Sequence, residues 1–152
     1  MTTTVITGTT NGIGLATARV LAKNQHRLLM LCRNLKAAEA VAREITKETS
    51  NSDIIPIFCD LSSLESVQNA ATLIRQEVDQ IDILINNAGI ISPDQQFSAD
   101  GFELTMAVNH LGPFLLTRSL ESLLYGGQVI NLASKAHLFC KASELLAETN
   151  FI

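Results

Sequence analysis

The sequence predicts an α/β domain built on a doubly wound parallel sheet, and three observations carry that expectation. Short β-branched runs alternate with segments of helical period along most of the 152 residues. The strand-like runs are almost continuously apolar, as befits strands covered by helices on both faces. A glycine-rich stretch, Thr7-Gly8-Thr9-Thr10-Asn11-Gly12-Ile13-Gly14, stands between the first run and the first helical segment. Alternation of this kind builds βαβ units with right-handed crossovers between parallel strands.

The elements follow in order. A strand is expected over 3–7, a helix over 13–23 and a second strand over 27–32. An Ala/Glu/Lys-rich helix covers 35–49, and a third strand 53–59. Leu64, Val67, Ala71, Ile74 and Val78 then recur at steps of 3, 4, 3 and 4, one face of an amphipathic helix. Ser62, with Glu65 three residues on, fits a capping box at its start. A fourth strand is expected over 81–86, a long helical stretch over 103–124 and a fifth strand over 128–133. Pro56 cannot donate to a ladder, which makes the third strand an edge. The doubly wound order 3-2-1-4-5 puts that strand at an edge too.

Composition excludes several classes. Apolar residues make up 47% and charged residues 17%, enough to order a core. A net charge of −4 argues against a nucleic-acid or anionic-membrane surface. No apolar run reaches the length of a bilayer span, and Met1-Thr2-Thr3-Thr4 has no basic leader pattern. Cys32, Cys59 and Cys140 show neither pairing nor metal-ligand spacing, which suits a reducing, cytoplasmic setting. No metal site is expected.

The glycine stretch suggests the first piece of chemistry. Glycines tighten a strand-to-helix turn and admit a pyrophosphate to the backbone, while the helix start offers free N–H groups and partial positive charge. The spacing is G-x-x-x-G-x-G rather than the G-x-G-x-x-G of most dinucleotide folds. Thr7-Gly8-(x)3-Gly12-Ile13-Gly14 resembles the cofactor loop of the short-chain dehydrogenase/reductase family. Cys59-Asp60-Leu61-Ser62, Asn86-Asn87-Ala88-Gly89 and the segments around Asn109 and Ser134 fit the same family in order. The wording of Cys32-Arg33-Asn34, of 108–114 and of 130–137 is most similar to the retinol-dehydrogenase-like branch.

That resemblance implies a Rossmann-type domain over 1–137, incomplete after strand five, and leaves 138–152 as a tail. Leu138, Leu145, Leu146 and Phe151 give the tail a helical pattern that would cover an otherwise exposed fifth strand. The resemblance implies a nicotinamide cofactor held by Thr7, Gly8, Thr10, Asn11, Gly12, Ile13 and Gly14. Asp60 and Leu61 would flank the adenine, and Asn87, Ala88 and Gly89 would line the site after strand four. NAD-preferring Rossmann folds place Asp or Glu at the end of strand two. Here that place reads Cys32-Arg33-Asn34, and Arg33 suits a 2′-phosphate, so NADP(H) is favoured over NAD(H).

Pro113 cannot bond the carbonyl four residues back, that of Asn109. Either the helix runs through and releases that carbonyl, or two helices join at Gly112-Pro113. The resemblance gives Asn109 a proton-relay water on its main-chain carbonyl, and gives Ser134 a hydrogen bond to a substrate oxygen. It also implies a homodimer through the helix carrying Asn109.

The family's general acid or base is a tyrosine in Tyr-x-x-x-Lys, made effective by the nearby cation. The only tyrosine is Tyr125, upstream of Ser134, and Val129 stands where the lysine would be. Ala133-Ser134-Lys135-Ala136 is no hydrolase elbow. Two readings follow: an oxidoreductase acting on an alcohol or carbonyl, represented by its N-terminal portion, or a non-catalytic nucleotide-binding fragment.

Overall fold

The computed structural model describes residues 1–92 and 94–134, so the tail expected over 138–152 lies outside the described residues. The strands are β1 (Thr3–Thr7), β2 (Arg27–Cys32), β3 (Ile54–Phe58), β4 (Ile83–Asn86) and β5 (Gln128–Asn131). All pairs are parallel, in the expected order β3-β2-β1-β4-β5. Pro56 sits opposite Met30 on the edge strand β3, where its missing N–H costs no ladder bond on the outer side.

Helices α1 (Gly12–Lys23), α2 (Leu35–Thr49) and α3 (Leu64–Glu77) follow the first three strands. The sheet splits its side chains between two cores, as a period of two requires. Ile6, Leu28, Met30 and Ile85 pack with Ala18 and Ala22 of α1 and Ile45 of α2. Val5, Leu29, Leu31 and Leu84 pack on the other face with Val67, Ala71 and Ile74 of α3. Burial on this scale contributes about 1.5–3 kcal/mol for each large aliphatic side chain.

Two local expectations are corrected. The Ser62/Glu65 box does not form. Ser63 is the cap of α3, its Oγ accepting from Ser66 N–H at 3.2 Å, because Ser62 is drawn back to Asp60. The stretch 103–124 is not one regular helix but α4 (Leu104–Met106), a π turn (Ala107–Leu111), α5 (Gly112–Ser119) and a 3-10 turn (Glu121–Leu123). Pro113 explains the change: it removes one ladder donor, and the turn before it is widened, with Gly112 N–H bonding Ala107 O five residues back. Leu111 (φ −65°, ψ −43°) and Gly112 (φ −61°, ψ −54°) stay helical, so the chain runs through without a joint.

Leu116 and Leu120 close the core beside α3. Beyond β4 the cover thins. Val129 and Ile130 of β5 are each 42% exposed, and β5 pairs only with β4, so its outer edge is open among the described residues.

Candidate functional site

The carboxyl ends of β1 and β4 are knotted together, and glycine makes the knot possible. Gly8 follows β1 with φ +74°, and a Cβ there would lie 2.9 Å from Ala88 Cα, so no larger residue admits this approach. Thr7 Oγ1 accepts from Asn87 N–H at 3.0 Å and Ala88 N–H at 2.9 Å. Asn87 Nδ2 donates to Thr7 O at 2.8 Å and Gly8 O at 3.1 Å. Both hydrogens of the Asn87 amide therefore serve the scaffold. Gly14, in the first turn of α1, meets the same knot: a Cβ on it would strike Gly8 O and Asn87 Nδ2.

This packing aims the start of α1 at a cleft of about 420 Å³, a volume typical of small-ligand sites. Asn11 caps α1 in extended conformation (φ −158°, ψ 176°) without a side-chain hydrogen bond to the helix. In contrast, Asn34 accepts from Ala37 N–H at the start of α2, and Ser63 caps α3. The N-terminus of α1 thus keeps its partial positive charge and N–H groups without a side-chain acceptor.

Of the residues expected to hold a cofactor, Thr7, Gly8, Thr10, Asn11, Ile13, Gly14, Arg33, Asp60, Leu61, Asn87, Ala88 and Gly89 line that cleft. Gly12 does not. With φ +55° and open space beyond its Cα, it serves the backbone turn. Sequence reasoning missed Asn34, Cys59 and Ile90 on the same walls, although each adjoins a predicted residue.

Arg33 is exposed at the end of β2 and joins no ion pair among the described residues, and the first turn of α2 carries no acid. Asp60 Oδ1 accepts from Ser62 N–H at 2.9 Å and Ser62 Oγ–H at 2.7 Å. Burial, with help from the charges of Asp60 and Cys32, pushes the Cys59 thiol up to about 12, so that thiol is neutral at ordinary pH.

Asn109 and Ser134 meet at a second, wider cavity of about 1040 Å³, which shares Ile13, Asn87, Ala88 and Gly89 with the first. The Asn109 side chain grips one residue twice: Oδ1 accepts from Ile90 N–H and Nδ2 donates to Ile90 O, each at 2.8 Å. The loop after Gly89 is thereby fixed to the π turn. Beside it, His110 stacks on Phe114 with ring centroids 6.4 Å apart. Tyr125 is 90% exposed and precedes β5, whereas Ser134 follows it, which puts the tyrosine at the far end of the strand from the cavity. No cluster of three metal-ligating side chains occurs among the described residues.

A model of the short chain dehydrogenases matches residues 2–143. The chain belongs to the short chain dehydrogenase family. Human retinol dehydrogenase 13 is 40% identical over 139 residues, covering 90% of this chain and 42% of that protein. Bovine retinol dehydrogenase 12 is 43% identical over 136 residues, covering 88% and 43%. A short chain dehydrogenase from Escherichia coli CFT073, solved in complex with NADPH, superposes with a TM-score of 0.72 at 26% identity, covering 84% of this chain and 56% of that one. The chain thus spans less than half the length of the curated relatives it matches, and it resembles their retinol-dehydrogenase-like N-terminal portion.

Membership in the short chain dehydrogenases implies a nicotinamide cofactor, and the residues fit one. The open α1 terminus and the close glycine backbone suit a diphosphate, and the cleft extends from there to Asp60 on one side and Gly89 on the other.

Proposed function

We propose that this chain forms the cofactor-binding portion of an NADP(H)-dependent dehydrogenase/reductase that interconverts an alcohol and a carbonyl by hydride transfer. The observation that carries the reading is the α1 N-terminus, left without a side-chain cap above the Thr7–Gly8–Asn87–Ala88 knot at the carboxyl ends of β1 and β4. Ligands bind parallel sheets at such ends. Preference for a 2′-phosphate rests on Arg33, a planar cation without an ionic partner among the described residues, where an acid would select NAD.

When bound, the nicotinamide donates or takes up a hydride. The chain's own residues would do the rest. Ser134 Oγ–H would donate to the substrate oxygen, holding it in the wider cavity. Pro113 offers no N–H to the Asn109 carbonyl, which leaves that oxygen able to hold a water while the side chain stays clamped to Ile90. The alkoxide formed in a carbonyl reduction must gain a proton, and the sequence holds no Tyr-x-x-x-Lys to supply one: its single tyrosine, Tyr125, is followed four residues on by Val129. These 152 residues alone are therefore catalytically incomplete.

The position of Tyr125 favours a second reading, a nucleotide-binding module without turnover. Titrating the purified chain with NADPH and then adding a carbonyl substrate tests both. Binding without NADPH oxidation supports incompleteness. Oxidation at an ordinary enzymatic rate overturns it, and absence of NADPH binding overturns both readings. A cytoplasmic location and a homodimer through the helical stretch carrying Asn109, where Phe114 is exposed, complete the proposal.

A further inference from the structure

The loop between β4 and α4 contains a closed turn over 96–103. Ser98 N–H bonds Phe102 O at 2.8 Å, Gly101 N–H bonds Ser98 O at 3.0 Å, and Leu104 N–H returns to Gln96 O at 2.8 Å. Phe97 and Glu103 form an antiparallel bridge across its base. Gly101 takes φ +84°, a conformation L side chains rarely adopt, and Asp100 stands beside it at the tip. From there Asp100 Oδ2 accepts from Leu64 N–H at 2.9 Å, the first residue of α3 and 36 positions away.

At the base, the Glu103 carboxylate accepts from Thr105 N–H at 2.8 Å and Met106 N–H at 2.7 Å, starting the helix that leads to Asn109. Asn109 grips Ile90. On the other side, Ser66 Oγ in the first turn of α3 receives Asp60 N–H at 2.9 Å on the cofactor cleft. Polar contacts thus run from the Asp60 wall through α3 and the loop to Asn109 and Ile90.

We propose that Asp100 is a positioning residue: by holding the 96–103 turn against α3 as a strut, it sets the Asn109–Ile90 clamp relative to the Asp60 wall. A closed turn bonded at both ends transmits a displacement that a slack loop would absorb. The inference rests on these contacts and needs no turnover to be tested.

The test is native-state amide hydrogen exchange on the full chain with Asp100→Ala and Asp100→Asn. Asp100→Ala should speed exchange at Leu64 and Ile90 together by about fivefold, the scale of one lost capping hydrogen bond. Core amides at Val5 and Leu29 should keep their rates. Asp100→Asn, whose Oδ1 still accepts, should restore both sites. Acceleration confined to Leu64 and the first turn of α3 would make Asp100 a helix cap alone and overturn the proposal. Uniform acceleration through the core, or no rescue by asparagine, would overturn it as well.

Discussion

Replacing Gly14 by alanine is the sharpest test of the knot beneath the cleft. Alanine is the better helix former by about 1 kcal/mol, so propensity alone predicts a gain. The structure predicts a loss. The added Cβ would strike Gly8 O, a backbone atom, and Asn87 Nδ2, which bonds Thr7 O at 2.8 Å and Gly8 O at 3.1 Å. Giving up those two bonds costs about 1 kcal/mol each. Forcing a methyl into a packed site costs roughly 1–3 kcal/mol more. With the propensity gain set against this, the net loss is about 2–4 kcal/mol, or roughly 6–12 °C in Tm for a chain of this size. Urea and thermal unfolding of the two proteins measure it. Gly12→Ala is the control, since nothing lies within 4 Å of its Cβ and only the φ of +55° opposes it, worth about 1–2 kcal/mol. A Gly14→Ala variant as stable as the parent would refute the packing argument.

Three further outcomes are expected. The backbone N–H bonds of Thr105 and Met106 outweigh burial, which acts the other way, and hold the Glu103 carboxyl below its ordinary value. The stability deficit of Glu103→Gln should therefore be full above about pH 4.3 and shrink as pH falls through the lower native value, as followed by urea unfolding across acid pH. Cys59 titrates the other way. Its neutral thiol contributes stability that is present below about pH 8.5 and lost as pH rises toward 12, so native Cys59 should resist iodoacetamide at pH 8 and react once the chain is unfolded. On the β5 edge, open among the described residues, Ile130→Lys should raise the monomer fraction in sedimentation, because a charge there blocks strand pairing; an unchanged distribution would clear that edge of any role in association.

The sequence revealed the sheet well because its signals are local. Continuous apolar runs marked the strands, and one proline, Pro56, was enough to place β3 at the edge and support the strand order. That the glycine loop and the ends of strands share one cleft was legible for the same reason, since each of these motifs is short and continuous in the chain. What escaped depends on contacts between distant residues. Asp100 meets Leu64 across 36 positions, and the amides of Asn87 and Asn109 find backbone partners 80 and 19 positions away. Gly12 was assigned to the cleft by its motif; the structure gives it φ +55° in the turn and leaves it off the cleft wall. The π turn was half visible: Pro113 announced a broken bond, but hydrophobic period cannot distinguish a widened turn from a joint between two helices.

If the Gly8–Gly14 loop and Arg33 make this cleft an NADP(H) site, the chain must bind NADPH in preference to NADH. Calorimetric titration of the chain with NADPH and with NADH, at one ionic strength, tests it most directly. Saturable 1:1 binding of both is expected, with NADPH tighter by roughly 10- to 150-fold through an arginine–phosphate pair worth about 1.5–3 kcal/mol, and loss of that preference in Arg33→Ala. Equal affinities, or a preference that survives Arg33→Ala, would contradict the role given to Arg33, and binding of neither nucleotide would contradict the site itself.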